Sequence, residues 1–309
     1  NSRNIPALRV LSEVGVGPMT DFFVRAGVSH VSTAPDAYGL TLAIGSLPVT
    51  PVELATLYTA LANNGTTRPL RSFTDEPKRE GTRLLSSHTA QLVRHILADP
   101  EARRPGFPPN GPLDFDYAVA IKTGTSQGYR DAWAAAFSDR LLVVTWVGNH
   151  DQRRMNMGSG AVIAAPAAHA ILDSVMPTYQ PYRPISTHFD PPADAVALEV
   201  CALSGRLPEP GCTHRRTEYF VRGTEPTERC PFHQNVAIDQ RNAQLFLLSG
   251  VDQHAFHGEI PCARPSPRVT RLSPGRRWNG GSPRDTILVG LARIRHGIVT
   301  SRLGARSRA

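Results

Sequence analysis

The stretch YAVAIKTGTSQGYRDAWAAAF, from Tyr117 to Phe137, contains the two segments that decide the fold. Strand-forming residues fill Tyr117 to Thr125, and a second run from Asp131 to Phe137 follows after a short glycine-containing turn. A third apolar run, Leu141 to Val147, lies just beyond another short turn. Short runs separated by turn residues indicate adjacent antiparallel strands. Alanine fills most of the second run and would also suit a helix on propensity alone, but we predict a strand.

Helical patterns occur on both sides of these strands. The best marked begins with Thr50-Pro51-Val52-Glu53, a capping-box sequence with proline at the first helical position. Apolar periodicity predicts three more helices, one starting near Asn4, one from about Ser87 to Ala98, and one from Ala164 to Met176. Asn4 is the expected cap of the first of these. Together the elements predict an α+β fold in which helices flank an antiparallel sheet.

Composition divides the chain into four parts. Residues 1–178 contain the predicted helices and strands and are long enough to bury a hydrophobic core. Residues 179–195 are rich in proline and are expected to form a linker. Residues 196–262 contain a group of cysteines and are expected to form a small second module. Residues 263–309 are rich in arginine, proline, glycine and serine with little periodicity, so we expect them to be disordered.

The net charge of +8 comes from the C-terminal part of the chain. Arg264 to Ala309 include 11 arginines and one acidic residue, whereas the rest of the chain is close to neutral. We therefore predict no nucleic-acid partner for the folded part, and polyanion binding by the tail stays an alternative function. No apolar run is long enough to predict a membrane-spanning helix. The start, Asn1-Ser2-Arg3-Asn4, lacks signal-peptide features and is typical of the interior of a domain.

Lys122 is one of only two lysines among the 34 basic residues, and it opens the sequence Lys122-Thr123-Gly124-Thr125. Its ammonium is compact and can lose its proton when desolvated, whereas arginine stays charged. The ammonium and a threonine hydroxyl could bind a substrate carboxylate, while the backbone N–H of Thr125 could stabilise a tetrahedral oxyanion. Gly124 would allow close approach of a partner to the strand. The alternative is an ordinary strand with an exposed lysine.

Several segments resemble class A penicillin-binding proteins. Lys122-Thr123-Gly124-Thr125-Ser126 and the following Tyr129 to Trp133 are similar to the third active-site motif of that family and to the strand after it. Tyr38 to Gly45 is similar to a family segment as well. The resemblance covers residues 1–178 closely and the cysteine module to about His233 more loosely. It implies the C-terminal part of a transpeptidase domain with the fold of serine β-lactamases, incomplete at its N-terminus.

The resemblance also implies a set of site residues. Ser2-Arg3-Asn4 stands where the second active-site motif of the family is expected, just ahead of the first helix. Ser2 would relay a proton to the leaving group, and Asn4 would orient the substrate amide. Lys122 with Thr123 and Thr125 would hold the terminal carboxylate of the substrate. Gly124 would lie in the same substrate-binding wall.

The nucleophile that the resemblance implies is absent from this sequence. Family members carry a serine three residues before a lysine, but Asp75 and Val119 occupy those places before Lys78 and Lys122. We therefore expect this chain alone to be catalytically inactive. The intact protein would be a bifunctional peptidoglycan synthase, with a glycosyltransferase domain and a membrane anchor upstream, on the periplasmic side of the bacterial inner membrane. Its partners would be D-Ala-D-Ala stem peptides of peptidoglycan and β-lactams, and no cofactor is implied.

A second enzyme class is suggested by Gly124-Thr125-Ser126-Gln127-Gly128, which satisfies the Gly-x-Ser-x-Gly motif of serine hydrolases. Ser126 would be the nucleophile, with Asp151 and His169 as acid and base candidates. The motif requires a helix of several turns after the serine. Only Tyr129 to Phe137 is available before the next turn, so this hypothesis is the weaker one.

The small module has four candidate ligands for a structural zinc ion, namely Cys201, Cys212, Cys230 and His233. The cysteine spacings are looser than those of Cys-x-x-Cys zinc motifs. Because the family resembled above works outside the cytoplasm, a disulfide among the three cysteines is the favoured alternative, and free buried thiols are the third. The neighbouring His214 is expected at the surface.

Overall fold

The computed structural model describes residues 2–32, 34, 37–73, 75–155, 158–178 and 186–233, together with the backbones of three strands at 237–238, 245–246 and 286–293. The chain divides into two compact units, Asn1–Pro192 with Gly280–Ala309, and Ala193–Asn279. The first unit contains the predicted sheet and helices, and the second contains the cysteine module.

The described helices of the first unit are α1 (Asn4–Val14), α2 (Val16–Arg25), a 3₁₀-helix (Gly39–Ile44), α3 (Pro51–Ala62), α4 (Ser87–Ala98), α5 (Pro100–Arg103) and α6 (Ala164–Val175). Four of them, α1, α3, α4 and α6, confirm the predicted helices. The remaining three lie in stretches where the sequence predicted no helix. None of the helices in the described part of the chain is long and apolar enough to cross a membrane.

Helix α3 begins as its sequence predicts. The Thr50 hydroxyl accepts a hydrogen bond from the Glu53 N–H at 3.2 Å, and the Glu53 carboxylate accepts one from the Thr50 N–H at 2.7 Å. Two of the orphan donors at the helix start are satisfied in this way. Helix α1 differs from expectation, because Arg3 is the N-cap and Asn4 already has helical backbone angles. The prediction of Asn4 as the cap is therefore wrong by one residue.

The central sheet is antiparallel, with strand order β1 (Ala120–Thr125), β2 (Asp131–Phe137), β3 (Leu141–Gly148) and β8 (Thr286–Arg293). The alanine-rich run is the strand β2, which pairs with both β1 and β3. Strand β8 pairs along the whole length of β3 and differs from the disorder expected for that part of the tail. Its apolar run supplies a partner for the backbone groups of β3, which would otherwise lie at an open edge. The rest of the tail lies outside the described residues.

Both faces of the sheet formed by β1 to β3 are buried, and this explains why β2 is rich in alanine. One face packs on α6 through a cluster that includes Ala134, Val143 and Leu172. The other face packs on α3 and α4 through a cluster that includes Phe137 and Val144. Small side chains let helices approach a sheet closely at interior packing density. The predicted α+β architecture with an antiparallel sheet and flanking helices is confirmed.

The N-terminal helices form a third apolar cluster. Leu11 of α1, Leu42 of the 3₁₀-helix and Val28 after α2 are buried together with Leu47. The cluster holds the first residues of the chain and the segment that leads into α3. It thus positions the start of α1, where two of the predicted site residues lie.

The proline-rich segment was expected to form a linker over residues 179–195. Residues 179–185 lie outside the described residues, but the following segment packs on the first unit. Phe189 is buried against Phe137, with ring centroids 6.4 Å apart, and the N–H of Ala118 donates to the carbonyl of Ser186. The first compact unit extends to Pro192.

The second unit is built on a two-stranded antiparallel sheet of β4 (Val196–Cys201) and β5 (Arg215–Phe220). A parallel bridge between Leu207 and Arg229 ties a later segment to the loop between these strands. Two further strands, β6 (Ala237–Ile238) and β7 (Leu245–Phe246), pair with one another. The bridge brings the residues around Cys230 next to the end of β4.

Candidate functional site

A cleft of about 570 Å³ lies in the first unit along β1. The end of the 3₁₀-helix and the first turns of α3 form one wall of the cleft, with Thr50, Leu54 and Tyr58 among the lining residues. The sequence from Lys122 to Ser126 forms the other wall. The predicted Lys-Thr-Gly-Thr sequence therefore lines a cavity instead of lying on an open surface.

Lys122 is the central polar group of this wall. Its ammonium donates to the Ser2 hydroxyl at 2.6 Å and to the carbonyl oxygen of Thr123 at 2.5 Å. Burial lowers the pKa of Lys122 below its ordinary value of 10.5, because water no longer solvates the full charge. The alternative of an ordinary exposed lysine does not fit these contacts. A partly desolvated ammonium with two oxygen partners can bind an anion or exchange a proton.

The structure brings Ser2 to Lys122 across 120 positions of sequence. Ser2 has φ of +52°, which is in the left-handed region that few non-glycine residues adopt. Asn4 lies two residues later as the first residue of α1, and it is exposed. The structure therefore brings Ser2 together with Lys122 and places Asn4 at the adjacent helix start.

The two threonines of the wall differ in their surroundings. Thr123 is buried, whereas Thr125 is exposed. The Thr125 hydroxyl accepts a hydrogen bond from the N–H of Gly160 at 2.9 Å, which fixes its oxygen and leaves its own proton to donate. Gly124 pairs with Trp133 on β2 in the register of the sheet.

Gly160 is a residue of this site that the sequence did not identify. A Cβ atom at Gly160 would lie 2.3 Å from the Gly124 carbonyl oxygen and 2.5 Å from that of Trp133, so only glycine fits. The loop of Gly160 therefore supports β1 at the Lys-Thr-Gly sequence. The local sequence Gly158-Ser159-Gly160 could not show which strand this loop would contact.

An aromatic part of the cleft was also missed by the sequence interpretation. Trp133 on β2 and Trp146 on β3 face one another in the sheet register, with ring centroids 6.2 Å apart, and both line the cleft. The indole N–H of Trp146 donates to Asp131 at 2.9 Å. Burial raises the pKa of Tyr58, on the opposite wall, to about 12, so this residue presents a neutral phenol. Among the described lining residues, the Lys122 ammonium thus lies beside apolar side chains.

The serine hydrolase hypothesis is not supported by the geometry. Ser126 lies in the turn before β2, and its hydroxyl accepts a hydrogen bond from the N–H of Asp131 at 2.9 Å. A strand, and no helix, follows the serine. His169 stacks on Phe115 and pairs with Asp173, while Asp151 pairs with Arg153. Because β2 stands where the Gly-x-Ser-x-Gly motif requires a helix, the structure does not support Ser126 as a nucleophile.

In the second unit the structure brings the four predicted metal ligands together. The three Sγ atoms and the His233 Nδ1 all lie within 4.8 Å of one another. The Nδ1 lies 3.5 Å from the Cys201 sulfur, 3.4 Å from that of Cys212 and 3.2 Å from that of Cys230. The three thiols are unbonded to one another, so the favoured disulfide prediction does not match the structure. His214 is exposed, as expected.

Comparison with known proteins identifies the family of the chain. A sequence profile of the penicillin binding protein transpeptidase domain matches residues 9–173, which is more than half of the chain. A profile of the penicillin-binding protein 1A C-terminal domain matches residues 191–235. The chain therefore belongs to the penicillin-binding protein transpeptidase family. Within it, this chain is the transpeptidase region of a protein similar to penicillin-binding proteins 1A and 1C.

Individual relatives agree with this assignment. Penicillin-binding protein 1C of Escherichia coli K12 is 29% identical over 231 residues, which cover 73% of this chain and 28% of the relative. Penicillin-binding protein 1A of Clostridium tetani is 23% identical over 254 residues, with 76% and 32% covered. The crystal structure of penicillin-binding protein 1A from Haemophilus influenzae matches with a TM-score of 0.55 at 24% identity, covering 74% of this chain and 40% of that one, and it supports the fold. The chain spans less than half the length of these relatives.

Proposed function

We propose that residues 1–178 hold the carboxylate end of a D-Ala-D-Ala stem peptide in a D,D-transpeptidase that cross-links peptidoglycan. The same residues would bind β-lactams, which mimic that dipeptide. The observation that carries the proposal is the ammonium of Lys122, which is partly desolvated in the wall of a cleft and donates to Ser2 at 2.6 Å. The family membership of residues 9–173 supports it independently.

The carboxylate would bind between the Lys122 ammonium and the Thr125 hydroxyl. The first supplies a charge-assisted hydrogen bond, and the second has a proton left to donate because Gly160 occupies its oxygen. Thr123 contributes its carbonyl oxygen, which holds the ammonium in place. The apolar surface of Trp133 and Tyr58 would receive the non-ionic part of the ligand. A C-terminal carboxylate next to a small alkyl side chain fits this arrangement.

Ser2 is the proposed proton relay of the reaction. In acyl transfer a serine oxygen attacks the penultimate D-alanine carbonyl, the C–N bond breaks, and the departing D-alanine amine takes up a proton. Lys122 donates to the Ser2 oxygen, so the hydroxyl proton of Ser2 remains free to move to that amine. The ester would then pass its acyl group to an amine of a neighbouring strand. Asn4, at the start of α1, would orient the substrate amide.

The attacking serine is not supplied by residues 1–309. No serine stands three residues before Lys78 or Lys122, which are the only lysines. We therefore propose that this chain binds ligand without covalent turnover. In its full-length context it would work with a glycosyltransferase portion on the periplasmic side of the inner membrane.

Ligand binding tests the proposal directly. Acetylated D-Ala-D-Ala, titrated into the protein and followed by NMR, should shift the backbone amides of Lys122 to Thr125 and the Trp133 indole. Lys122→Met should weaken binding roughly 10- to 100-fold, since a hydrogen bond to a charged group contributes about 1.5–3 kcal/mol. Lys78→Met is the matched control, because Lys78 is exposed and lies outside the cleft. Equal affinity for the dipeptide acid and its C-terminal amide would contradict the proposal.

The pH dependence gives a second readout at the same residue. The carboxylate needs the charged ammonium, so affinity should be full below the lowered pKa of Lys122 and should fall as pH rises through it. If Lys122 had an ordinary pKa, the affinity for the dipeptide would fall only near pH 10.5. Affinity that stays constant up to that pH would contradict carboxylate binding by a desolvated Lys122 ammonium with a lowered pKa.

Fluorescent penicillin tests the missing nucleophile. Because the chain has no serine at the required spacing, gel electrophoresis after denaturation should show no labelled band. A labelled band would identify a nucleophile within residues 1–309. It would refute the prediction that this chain is catalytically inactive, but it would leave the proposed ligand binding intact.

A further inference from the structure

Three thiols and one imidazole converge in the second unit. The Sγ atoms of Cys201 and Cys230 are 3.6 Å apart, and all three sulfurs lie 3.2–3.5 Å from the His233 Nδ1. In a tetrahedral zinc site, metal–ligand bonds of about 2.0–2.3 Å place neighbouring ligand atoms roughly 3.5–3.8 Å apart. The four atoms therefore already approximate the corners of such a site.

We infer that Cys201, Cys212, Cys230 and His233 bind one structural Zn²⁺ ion. Three thiolates and one imidazole nitrogen form a soft donor set that suits zinc. All four tetrahedral positions are filled by protein atoms, which is typical of a structural ion and leaves no place for a catalytic water. Binding releases the thiol protons to solvent, so no oxidant or reductant is needed.

A disulfide explains this arrangement less well. It would join two sulfurs at about 2.05 Å and leave the third cysteine and His233 without a role. The structure instead places the His233 nitrogen at a similar distance from all three sulfurs. One ion at the centre uses all four groups at once.

The backbone around the cysteines also suits thiolate ligands. The N–H of Glu209 donates to the Cys212 sulfur at 3.2 Å. The backbone N–H groups of Leu203 and Ser204 face the Cys201 sulfur, and those of Phe232 and His233 face the Cys230 sulfur. N–H donors stabilise a negatively charged sulfur and fix its direction. Each cysteine therefore lies in a turn whose amides face its sulfur.

Packing supplies an independent argument for the ion. Among described residues 193–233 of this unit, the buried side chains are those of Val200 and the three cysteines. Leu203 and Phe232 are 64% and 61% exposed, so they add little to a core. A segment as short as the described one buries little apolar surface by itself, and disulfides or a metal commonly stabilise such segments. The sulfur cluster occupies the place of a hydrophobic core.

Metal analysis of the whole purified chain tests the inference. Plasma mass spectrometry should find about one zinc ion per chain, as a closed four-ligand site predicts. His233→Ala should reduce the zinc content to near background, whereas the matched variant His214→Ala should retain it. Stoichiometric iron or copper instead of zinc would overturn the assignment of the metal.

Two measurements on the unaltered protein keep the inference testable if the variants fail to fold. Replacement by Co²⁺ should give thiolate charge-transfer bands and the intense d–d bands of tetrahedral cobalt. After denaturation with a chelator and no reductant, all three cysteines should react with an alkylating agent. Protection of two cysteines from alkylation would show a disulfide, and a cobalt protein without these bands would show no thiolate site. Either result would overturn the inference.

Discussion

The interiors of the two units of this protein are stabilised by different kinds of interaction. The sheet of the first unit is buried on both faces by apolar clusters, which include the fully buried Phe137 and Leu172. The described part of the second unit buries one valine and three cysteines. Apolar clusters tolerate exchange among residues of similar volume, whereas a ligand cluster depends on four particular atoms. The difference predicts that the two units respond to different perturbations.

Removal of the inferred zinc ion should have the largest effect on stability, and it should affect only the second unit. Structural zinc contributes about 10–16 kcal/mol in small metal-dependent modules, which commonly unfold without it. Hydrogen exchange with mass spectrometry, performed with a strong chelator, should show that β4 and β5 lose protection while β1 to β3 keep it. Restoration by Zn²⁺ but not by Mg²⁺ is the control. Unchanged protection of both units would contradict a dependence of the second unit on metal.

Phe137→Ala should destabilise the first unit and leave the second unit unchanged. The Phe137 side chain is fully buried, with the rings of Tyr58 and Phe189 each 6.4 Å away. Its truncation should reduce the free energy of unfolding of the first unit by about 3–5 kcal/mol, because a cavity remains. Urea unfolding followed by tryptophan fluorescence measures the change, and zinc content should not alter. Phe73→Ala, at a side chain that is 68% exposed, should shift stability by no more than about 0.5 kcal/mol.

Gly160→Ala should reduce stability by an intermediate amount and should weaken ligand binding in the cleft at the same time. The new methyl group would collide with the carbonyl oxygens of Gly124 and Trp133, which should cost about 1–3 kcal/mol. Because the loop supports β1, binding of the dipeptide should weaken as well. The control is Gly17→Ala in α2, where a Cβ meets nothing within 4 Å and should stabilise the helix by about 0.5–1 kcal/mol. Equal stability of the two variants would refute the proposed support.

Glu53→Gln should have the smallest effect. The carboxylate accepts hydrogen bonds from Ser29 and Thr50 and joins the start of α3 to a preceding loop. Loss of this cap should cost about 1 kcal/mol, measured by urea unfolding. The exposed Glu80 offers the matched control Glu80→Gln, which should be near neutral.

The pH dependence of that effect has a defined sign. Burial acts to raise the pKa of Glu53, but hydrogen bonds from Ser29 and Thr50 outweigh it and lower the pKa to about 2 from 4.5. The folded state therefore favours the ionised form, and the stabilisation is full above about pH 4.5 and disappears as pH falls through about 2. The difference between the parent protein and Glu53→Gln should shrink over that window. A difference that is constant with pH would contradict the hydrogen-bonding account.

Much of the first unit could be predicted from local sequence. Thr50 and Glu53 mark the start of α3, and turn residues mark the limits of β2, because caps and turns depend on neighbours a few positions apart. The Lys122 motif was likewise found at the end of a predicted strand. Local propensity was a poorer guide at the alanine-rich strand, where burial on both faces decides the structure.

The sequence by itself determined which residues are candidates for the chemistry: one lysine in a threonine- and glycine-rich strand, and three cysteines with a histidine. Only the tertiary structure decided which of them meet. Lys122 contacts Ser2 across 120 positions, Thr125 contacts Gly160 across 35, and Cys201 approaches His233 across 32. Contacts at such separations depend on how helices and strands pack, and neither spacing nor composition encodes that packing locally.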